Sequence, residues 1–266
     1  MRTYLSAGID IGTRGIRLTV IDCSSLNTIY KEVYDRHSID FLLKTIKGLG
    51  VERICVAGGY QWREVTNHDI YSEELIAFGS SQEETHGLRR TVRMLSLAKE
   101  LLLLPSGGAS GELPRWFTFN VLDSGTPDKV AKANYIIHRM GLHTFTLIDD
   151  GCFTTLIGIE DDAITKVIAS TWGVPGKCSP GRVDVELCLA FKWPQSKRDL
   201  IDCDVPNDVM EGWIDFYKEL FPSPYMRGSE LDEFSASEGA ALWCCGLRPK
   251  HIFSSRPWGC LWDKHG

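Results

Sequence analysis

The sequence has no excess of positive charge and no apolar run long enough to cross a membrane. It carries 29 basic and 35 acidic residues, for a formal net charge of -6, whereas general nucleic-acid and anionic-membrane binders need a dense basic face. Apolar runs such as residues 101–104 are far shorter than the roughly 20 residues of a transmembrane helix. Residues 1–5 lack the apolar core and cleavage site of a signal peptide. We therefore expect a cytoplasmic protein with no nucleic-acid and no membrane partner.

The nine cysteines do not form the patterns that mark metal sites or disulfide frameworks. Their number is odd, no C-x-x-C pair occurs, and no histidine stands at the spacing of a zinc ligand. Cys23, Cys55, Cys152 and Cys188 lie inside apolar runs, where a free cysteine behaves as a small hydrophobic residue. These observations predict reduced cysteines in an intracellular protein and no metal role for residues 244–245.

The composition of the 266 residues, 43% hydrophobic and 24% charged, is that of a globular protein with a substantial core. Apolar periodicity and turn residues predict an α/β chain. The predicted strands span residues 5–10, 16–21, 28–34, 53–57, 144–149, 153–160, 163–170 and 251–254. The predicted helices span residues 38–49, 87–103, 127–140, 183–192, 207–220 and 235–247.

The two halves of the chain begin alike. Residues 9–12 (IDIG) and residues 148–151 (IDDG) each end a strand at an Asp-x-Gly turn, and two strands with alternating apolar residues follow each turn. Superposing Asp10 on Asp149 places Gly12 on Gly151. This repeat predicts two related lobes, residues 1–141 and 142–266. A chance likeness of two hairpins is the alternative.

The first Asp-x-Gly turn has the residues of a phosphate site. Gly12 and Gly15 flank Thr13 and Arg14, and glycine permits the close approach that lets backbone N–H groups hold an anion. Asp10, at the end of the preceding strand, is suited to hold Mg²⁺ through water while the metal bridges nucleotide phosphates. Two such turns facing each other would hold the β- and γ-phosphates from both sides.

Both turns resemble known phosphate motifs. Residues 8–13 (GIDIGT) resemble the first phosphate motif of the superfamily that unites acetate and sugar kinases, heat-shock ATPases and actin, and residues 149–155 (DDGCFTT) resemble its second. Four further stretches are similar, in the same order, to a family labelled as predicted butyrate kinases: residues 56–60, 122–129, 173–176 and 237–241. The resemblance implies an α/β fold of two RNase-H-like lobes with mixed sheets and an interlobe cleft, the second lobe being abbreviated. It also implies ATP, Mg²⁺ and phosphoryl transfer to a small carboxylate.

The resemblance also implies roles for individual residues. Asp10 and Asp149 would hold the metal ion, and Asp149 or Asp150 would face the phosphates from the second lobe. The catalytic residues implied are Asp10, Asp123, Asp128 and Lys129, with Asp128 or Asp123 as base or substrate orienter and Lys129 offsetting phosphate charge. The nucleotide-binding residues implied are Gly12, Thr13, Arg14, Gly15, Asp150, Gly151, Thr154, Gly228, Glu238 and Gly239.

Several of these residues also have a purely structural explanation. Asp10 would suit the cap of a hairpin turn, and the helix dipole favours Asp128 in the first turn of a helix whatever its function. Glu238 and Gly239 belong to a stretch of small residues that suits close helix packing. For these positions the sequence leaves both explanations open.

The sequence also leaves three functions open. A kinase is the first. The second function is a nucleotide-binding or scaffold protein without catalysis. It is considered because residues 152–153 (CF) stand where active kinases usually keep small glycines. An RNase-H-like nuclease is the third, and the acidic charge balance disfavours it. Trp258 and Trp262 would dock on the body or on another subunit, which leaves a homodimer open.

Overall fold

The computed structural model describes residues 4–12, 15–67, 88–114, 117, 119, 124–169, 173–195, 199 and 203–252. In this part of the chain, ten strands form two mixed sheets, here called sheet A and sheet B. The strands are β1 (Leu5–Gly12), β2 (Gly15–Asp22), β3 (Thr28–Tyr34), β4 (Arg53–Ala57), β5 (Val65–Thr66), β6 (Glu100–Leu103), β7 (Phe145–Asp150), β8 (Thr154–Glu160), β9 (Ala163–Ile168) and β10 (Tyr225–Arg227). The α-helices are α1 (Ile39–Gly48), α2 (Leu88–Ala98), α3 (Pro127–Tyr135), α4 (Val185–Phe191), α5 (Asn207–Lys218) and α6 (Ser235–Cys244).

Sheet A carries the first Asp-x-Gly turn at the end of a central strand. Its strand order is β3-β2-β1-β4-β6-β5. The strands β1, β2 and β3 form an antiparallel meander, and β4 runs parallel to β1 on its other side. In this register Asp10 lies opposite Arg17 on β2 and opposite Ala57 on β4. The carboxyl ends of β1 and β4 therefore meet at one edge of the sheet.

Sheet B repeats this arrangement with fewer strands. Its order is β10-β7-β8-β9, with β7, β8 and β9 forming an antiparallel meander and β10 running parallel to β7. A helix precedes the parallel strand in both sheets: α1 comes before β4, and α5 before β10. The predicted fold class, an α/β fold of two lobes with mixed sheets, is confirmed. The lobe boundary between residues 141 and 142 stays a prediction.

Two helices fill the space between the sheets. The helix α6 packs on β1, β2 and β4 of sheet A and crosses α3. The buried side of α3, including Val130, shares a core with Phe145 and Ile157 of sheet B. Glycine on β1 allows α6 to approach sheet A closely, because a Cβ on Gly8 would lie only 1.8 Å from the Ser237 carbonyl oxygen. The layer order is thus sheet A, α6, α3 and sheet B, so that α6, from the second half of the chain, lies on the sheet of the first half.

The expectation of reduced cysteines is wrong for six of them. The structure joins Cys23 to Cys245, Cys55 to Cys244 and Cys152 to Cys178. The first two disulfides connect the end of α6 to sheet A, because Cys55 lies on β4 and Cys23 follows β2. The apolar sequence around several of these cysteines predicts that they are buried. It does not indicate which cysteines are close enough in the fold to form a disulfide.

One predicted helix is also partly wrong. Residues 87–103 were expected to form a single helix, whereas α2 ends at Ala98 and residues 100–103 form β6 between β4 and β5. Within the described ranges, no helix has both the length and the apolar character that crossing a membrane requires. Trp258 and Trp262 lie outside the described residues.

Candidate functional site

Asp10 lies at the edge of sheet A where β1 and β4 end. Its Oδ2 is 3.5 Å from Nη1 of Arg17, and its side chain is 13% exposed. An added Cβ on Gly12 would lie 3.1 Å from the same Arg17 nitrogen. Burial raises the pKa of Asp10 to about 6, and the negative charge of Asp128 adds to this effect against the attraction of nearby cations. The cations near Asp10 therefore do not fully compensate the cost of burying its negative charge.

The first turn of α3 brings a second carboxylate and a lysine to Asp10. Thr126 is the N-cap residue and Pro127 opens the helix, a position where the missing N–H of proline costs nothing. Nζ of Lys129 donates a hydrogen bond to Oδ2 of Asp128 at 2.5 Å. Burial raises the pKa of Asp128, but the charges of Lys129 and Lys132 outweigh burial and the net pKa is below its usual range. Asp128 is thus ionised at neutral pH.

Asp149 completes the group from sheet B. Nζ of Lys132 donates a hydrogen bond to Oδ1 of Asp149, and Nζ of Lys129 lies 3.5 Å from its Oδ2. Lys129 therefore stands between Asp128 and Asp149. We call Asp10, Asp128, Lys129, Lys132 and Asp149 the carboxylate–lysine cluster; it joins the ends of β1 and β7 through the first turns of α3.

The neighbouring Asp150 belongs to the opposite face of sheet B, since successive residues of a strand point to opposite sides. Its Oδ2 is 3.2 Å from Nη1 of Arg227 and accepts a hydrogen bond from Ser229 at 3.2 Å. Of the two candidates, Asp149 is thus the one that joins the cluster. Gly228 also lies there, because a Cβ on it would be 2.4 Å from Oδ1 of Asp149.

The second turn is held by another loop. The N–H groups of Lys177 and Cys178 donate to the carbonyl oxygens of Gly151 and Cys152 at 3.1 and 3.3 Å. The disulfide between Cys152 and Cys178 fastens the same contact. Thr154, the first residue of β8, is buried beside this turn. The backbone carbonyls of the second turn are therefore already engaged.

Glu238 and Gly239 lie in a different environment from the cluster. Glu238 accepts a hydrogen bond from Nε of Arg139 at 2.6 Å and is 2.9 Å from Nζ of Lys31. A Cβ on Gly239 would lie 1.8 Å from the carbonyl oxygen of Ala131. Glu238 thus connects α6 to β3 and to the helical segment that follows α3, and Gly239 permits the crossing of α3 and α6. A nucleotide-binding role for them stays a prediction.

Three predicted site residues, Thr13, Arg14 and Asp123, lie outside the described residues. Gly12 and Gly15, which flank the first two, face each other across the β1–β2 hairpin. Two residues of the site, Lys132 and Arg17, were not among the predicted ones. Lys132 had a usable signal, because it follows Lys129 by three positions on a predicted helix and so shares its face. Arg17 lies opposite Asp10 only once the hairpin register is known.

The donor set of the site consists of hard oxygen atoms with cations close by. The carboxylates of Asp10 and Asp149 come from opposite sheets, and oxygen ligands of this kind suit Mg²⁺, which keeps several of its waters. Among the described residues, no group of three or more His, Cys, Asp or Glu side chains is arranged to hold a metal by itself. The arrangement suits an ion shared with a phosphate ligand.

Comparison with solved structures places the fold. A propionate kinase from Francisella tularensis superposes with a TM-score of 0.51 at 8% identity, over 88% of this chain and 76% of that chain. An acetate kinase from Porphyromonas gingivalis gives a TM-score of 0.49 at 10% identity, over 82% and 73% of the two chains. At 8% identity the likeness to the propionate kinase shows the fold alone, an α/β fold of the actin-like ATPase type.

Comparison of sequences identifies the family. No curated protein sequence matches this chain. Residues 8–204, which include Asp10, the whole of α3 and both Asp-x-Gly turns, match the family described as "Protein of unknown function (DUF1464)". The chain therefore belongs to the DUF1464 family.

Proposed function

We propose that the protein binds ATP with Mg²⁺ at the carboxylate–lysine cluster and transfers the γ-phosphoryl group to a small molecule. The observation that supports this function is the meeting of Asp10 and Asp149, each from the end of the first strand of a meander, at the lysines of α3. The carboxylates of the two predicted phosphate motifs are thus both influenced by the lysines of α3, which supports a shared site.

The charges of the cluster fit this ligand pair. Asp10 has a raised pKa because burial and Asp128 disfavour its negative charge, and a divalent cation beside it would remove that penalty. Bound ATP would supply the phosphoryl group, and Mg²⁺ would neutralise part of its charge. Lys129 and Lys132 of α3 are placed to offset the remaining phosphate charge.

In the proposed reaction the bond between the γ-phosphorus and the β–γ bridging oxygen breaks, and its electron pair stays on ADP. The acceptor oxygen forms the new bond to phosphorus. An acceptor hydroxyl passes its proton to a carboxylate of the cluster. Asp128 is ionised at neutral pH and has an acceptor oxygen for it, with a basicity that the neighbouring lysines lower. The resemblance to predicted butyrate kinases favours a carboxylate acceptor, and the chemistry of the cluster serves a carboxylate or a hydroxyl equally.

A second candidate function is nucleotide binding without turnover. It is supported by the disulfide and the two backbone hydrogen bonds that hold residues 151–152 against residues 177–178. A turn held in this way has less freedom to close around a γ-phosphate. This protein would act as a scaffold whose conformation responds to ATP.

Calorimetric titration of the full chain with ATP·Mg²⁺ tests both functions. We expect binding to wild type and a loss of at least tenfold in affinity for Asp10→Asn, while Asp40→Asn, an exposed change on α1, leaves the affinity unchanged. Release of ADP that depends on an added small carboxylate or polyol then separates the kinase from the scaffold. Equal affinity of wild type and Asp10→Asn for ATP·Mg²⁺ would show that the nucleotide does not bind at the cluster. The absence of any ATP binding to wild type would contradict the proposal as well.

A further inference from the structure

A second group of polar side chains is buried beyond the carboxyl ends of β4 and β6. Gln61, Ser106 and Ser124 are 1%, 1% and 2% exposed. Within the part of the chain that the structure describes, Gln61 Oε1, Ser106 Oγ and Ser124 Oγ make no hydrogen bond. Buried polar atoms without partners are rare and cost free energy. Three of them in one place indicate a missing ligand.

The three residues belong to adjacent segments. The N–H of Ser106 donates to the carbonyl oxygen of Gln61 at 2.6 Å, and the N–H of Gly107 donates to that of Gly125 at 2.8 Å. A Cβ on Gly107 would lie 2.5 Å from the Ser124 carbonyl oxygen. The segment after β6 thus runs between the segment after β4 and the one that leads into α3.

This group lies beside the carboxylate–lysine cluster. The strand β4 pairs with β1, and Ala57 at its end is opposite Asp10. The Gln61 side chain folds back toward that end: a Cβ on Gly59, whose φ is +90°, would be 2.4 Å from its Nε2. On the other side, Ser124 precedes the first turn of α3, which carries Asp128 and Lys129.

We infer that Gln61, Ser106 and Ser124 form the acceptor subsite and that the acceptor is a small uncharged polyhydroxy compound. This inference rests on the proposed function and deepens it. The carbonyl oxygen of the Gln61 side chain only accepts hydrogen bonds, so its partner must bring a proton, whereas the serine hydroxyls both donate and accept.

A carboxylate suits this subsite less well than a hydroxyl compound. An ionised carboxylate has no proton for Gln61 Oε1, and burying its charge among neutral groups is costly. In the proposed function Lys129 and Lys132 offset the charge of the phosphates, so they do not serve a second anion at this subsite. In the transfer step one hydroxyl oxygen of the acceptor bonds to the γ-phosphorus, its proton passes to a carboxylate of the cluster, and ADP leaves with the electron pair of the broken bond.

Binding of short polyols in the absence of nucleotide tests the subsite directly. Saturation-transfer NMR of the full chain would use glycerol, erythritol and ribitol as probes, and acetate, propionate and butyrate as the charged comparison. We expect polyol binding to wild type, and a dissociation constant raised about tenfold in Ser106→Ala and in Ser124→Ala, the effect of losing one good hydrogen bond. Gln61→Leu should act in the same direction.

The matched control is Ser179→Ala, because Ser179 is also a fully buried serine whose hydroxyl makes no hydrogen bond, on the loop after residue 176. This variant should keep wild-type affinity for the polyols. The serine variants should melt no lower than wild type without ligand, since each removes a hydroxyl that has no partner.

Three results would overturn the subsite: carboxylates bind while polyols do not, no probe binds, or polyols bind equally to wild type and the three subsite variants, which would mean that the hydroxyls hold only water. The test does not depend on nucleotide. If the variants weaken polyol binding but the protein does not bind ATP, the subsite is kept and the proposed kinase is rejected. If the protein binds ATP but the variants do not change polyol binding, the subsite is rejected and the nucleotide site is kept.

Discussion

Lys132 of α3 donates a hydrogen bond to Asp149 of β7, and this contact fastens the helix that follows sheet A to the strand that opens sheet B. The two side chains are 21% and 10% exposed, so water screens their attraction only weakly. The same lysine lowers the pKa of Asp128 and opposes the rise in the pKa of Asp10. One cation thus balances carboxylates from both sheets.

Lys132→Met should therefore disturb both stability and the site. Removing one partner of a largely buried pair leaves carboxylates without compensation, and we expect a loss of about 2 kcal/mol in the free energy of unfolding. The affinity for ATP·Mg²⁺ should fall at least tenfold. Urea denaturation and calorimetry measure the two effects. Lys132→Arg, which keeps the charge, should recover most of the stability; equal stability of Lys132→Met and wild type would contradict the ion pair.

The raised pKa of Asp10 predicts a specific dependence of stability on pH. The folded protein holds the Asp10 proton up to about pH 6, whereas an unfolded chain releases it near pH 4. Between these values the folded state binds more protons, so this group stabilises the fold fully below pH 4 and the contribution is lost as the pH rises to 6. The loss amounts to about 2 to 3 kcal/mol.

Asp10→Asn removes this term, so the variant should equal wild type near pH 4 and exceed it in stability near pH 8. The measurement is urea denaturation of both proteins between pH 4 and pH 8 without metal. Adding MgCl₂ with ATP at pH 8 should stabilise wild type more than the variant, because only wild type has the carboxylate. A variant less stable than wild type at pH 8 would mean that Asp10 is paired well enough to be ionised at no cost.

The meanders were predictable because each of their strands follows a regular apolar pattern between turns. The bounds of β3 and β4 agree with the sequence prediction. The strand β6 was not predictable in the same way, since residues 101–104 are four leucines that show neither a helical nor a strand period. The strand β10 has three residues and gains its conformation by pairing with β7.

The site was predictable only where one segment carried the signal. Asp10, Asp149 and Lys129 stand in recognisable motifs. The choice of Asp149 over Asp150, by contrast, follows from which face of β7 lies against α3. The disulfides depend on tertiary contacts of the same kind, because their partners are 222 and 189 positions apart in two of the three cases.

The crossing of α3 and α6 predicts a strong effect at Gly239. A Cβ there would overlap the carbonyl oxygen of Ala131 at 1.8 Å, and backbone cannot move aside without separating the two helices. Gly239→Ala should therefore lower the free energy of unfolding by about 3 kcal/mol. The control is Gly212→Ala on the exposed side of α5, where a Cβ would meet nothing within 4 Å; it should raise stability by up to about 1 kcal/mol. Similar melting temperatures for both variants would count against the observed crossing.

The disulfide between Cys152 and Cys178 predicts a redox-dependent stability. It closes a loop with a sequence separation of 26, for which chain entropy predicts about 3 kcal/mol of stabilisation. The double variant Cys152→Ser/Cys178→Ser should lose this amount under non-reducing conditions and match wild type in dithiothreitol, whereas Cys188→Ser, at a free cysteine, should behave as wild type in both. Peptide mapping without reduction should find residues 152 and 178 linked.

Because the disulfide also holds the second turn, the double variant should bind ATP·Mg²⁺ with changed affinity. An unchanged affinity would show that the turn keeps its conformation through the backbone hydrogen bonds of Lys177 and Cys178 alone.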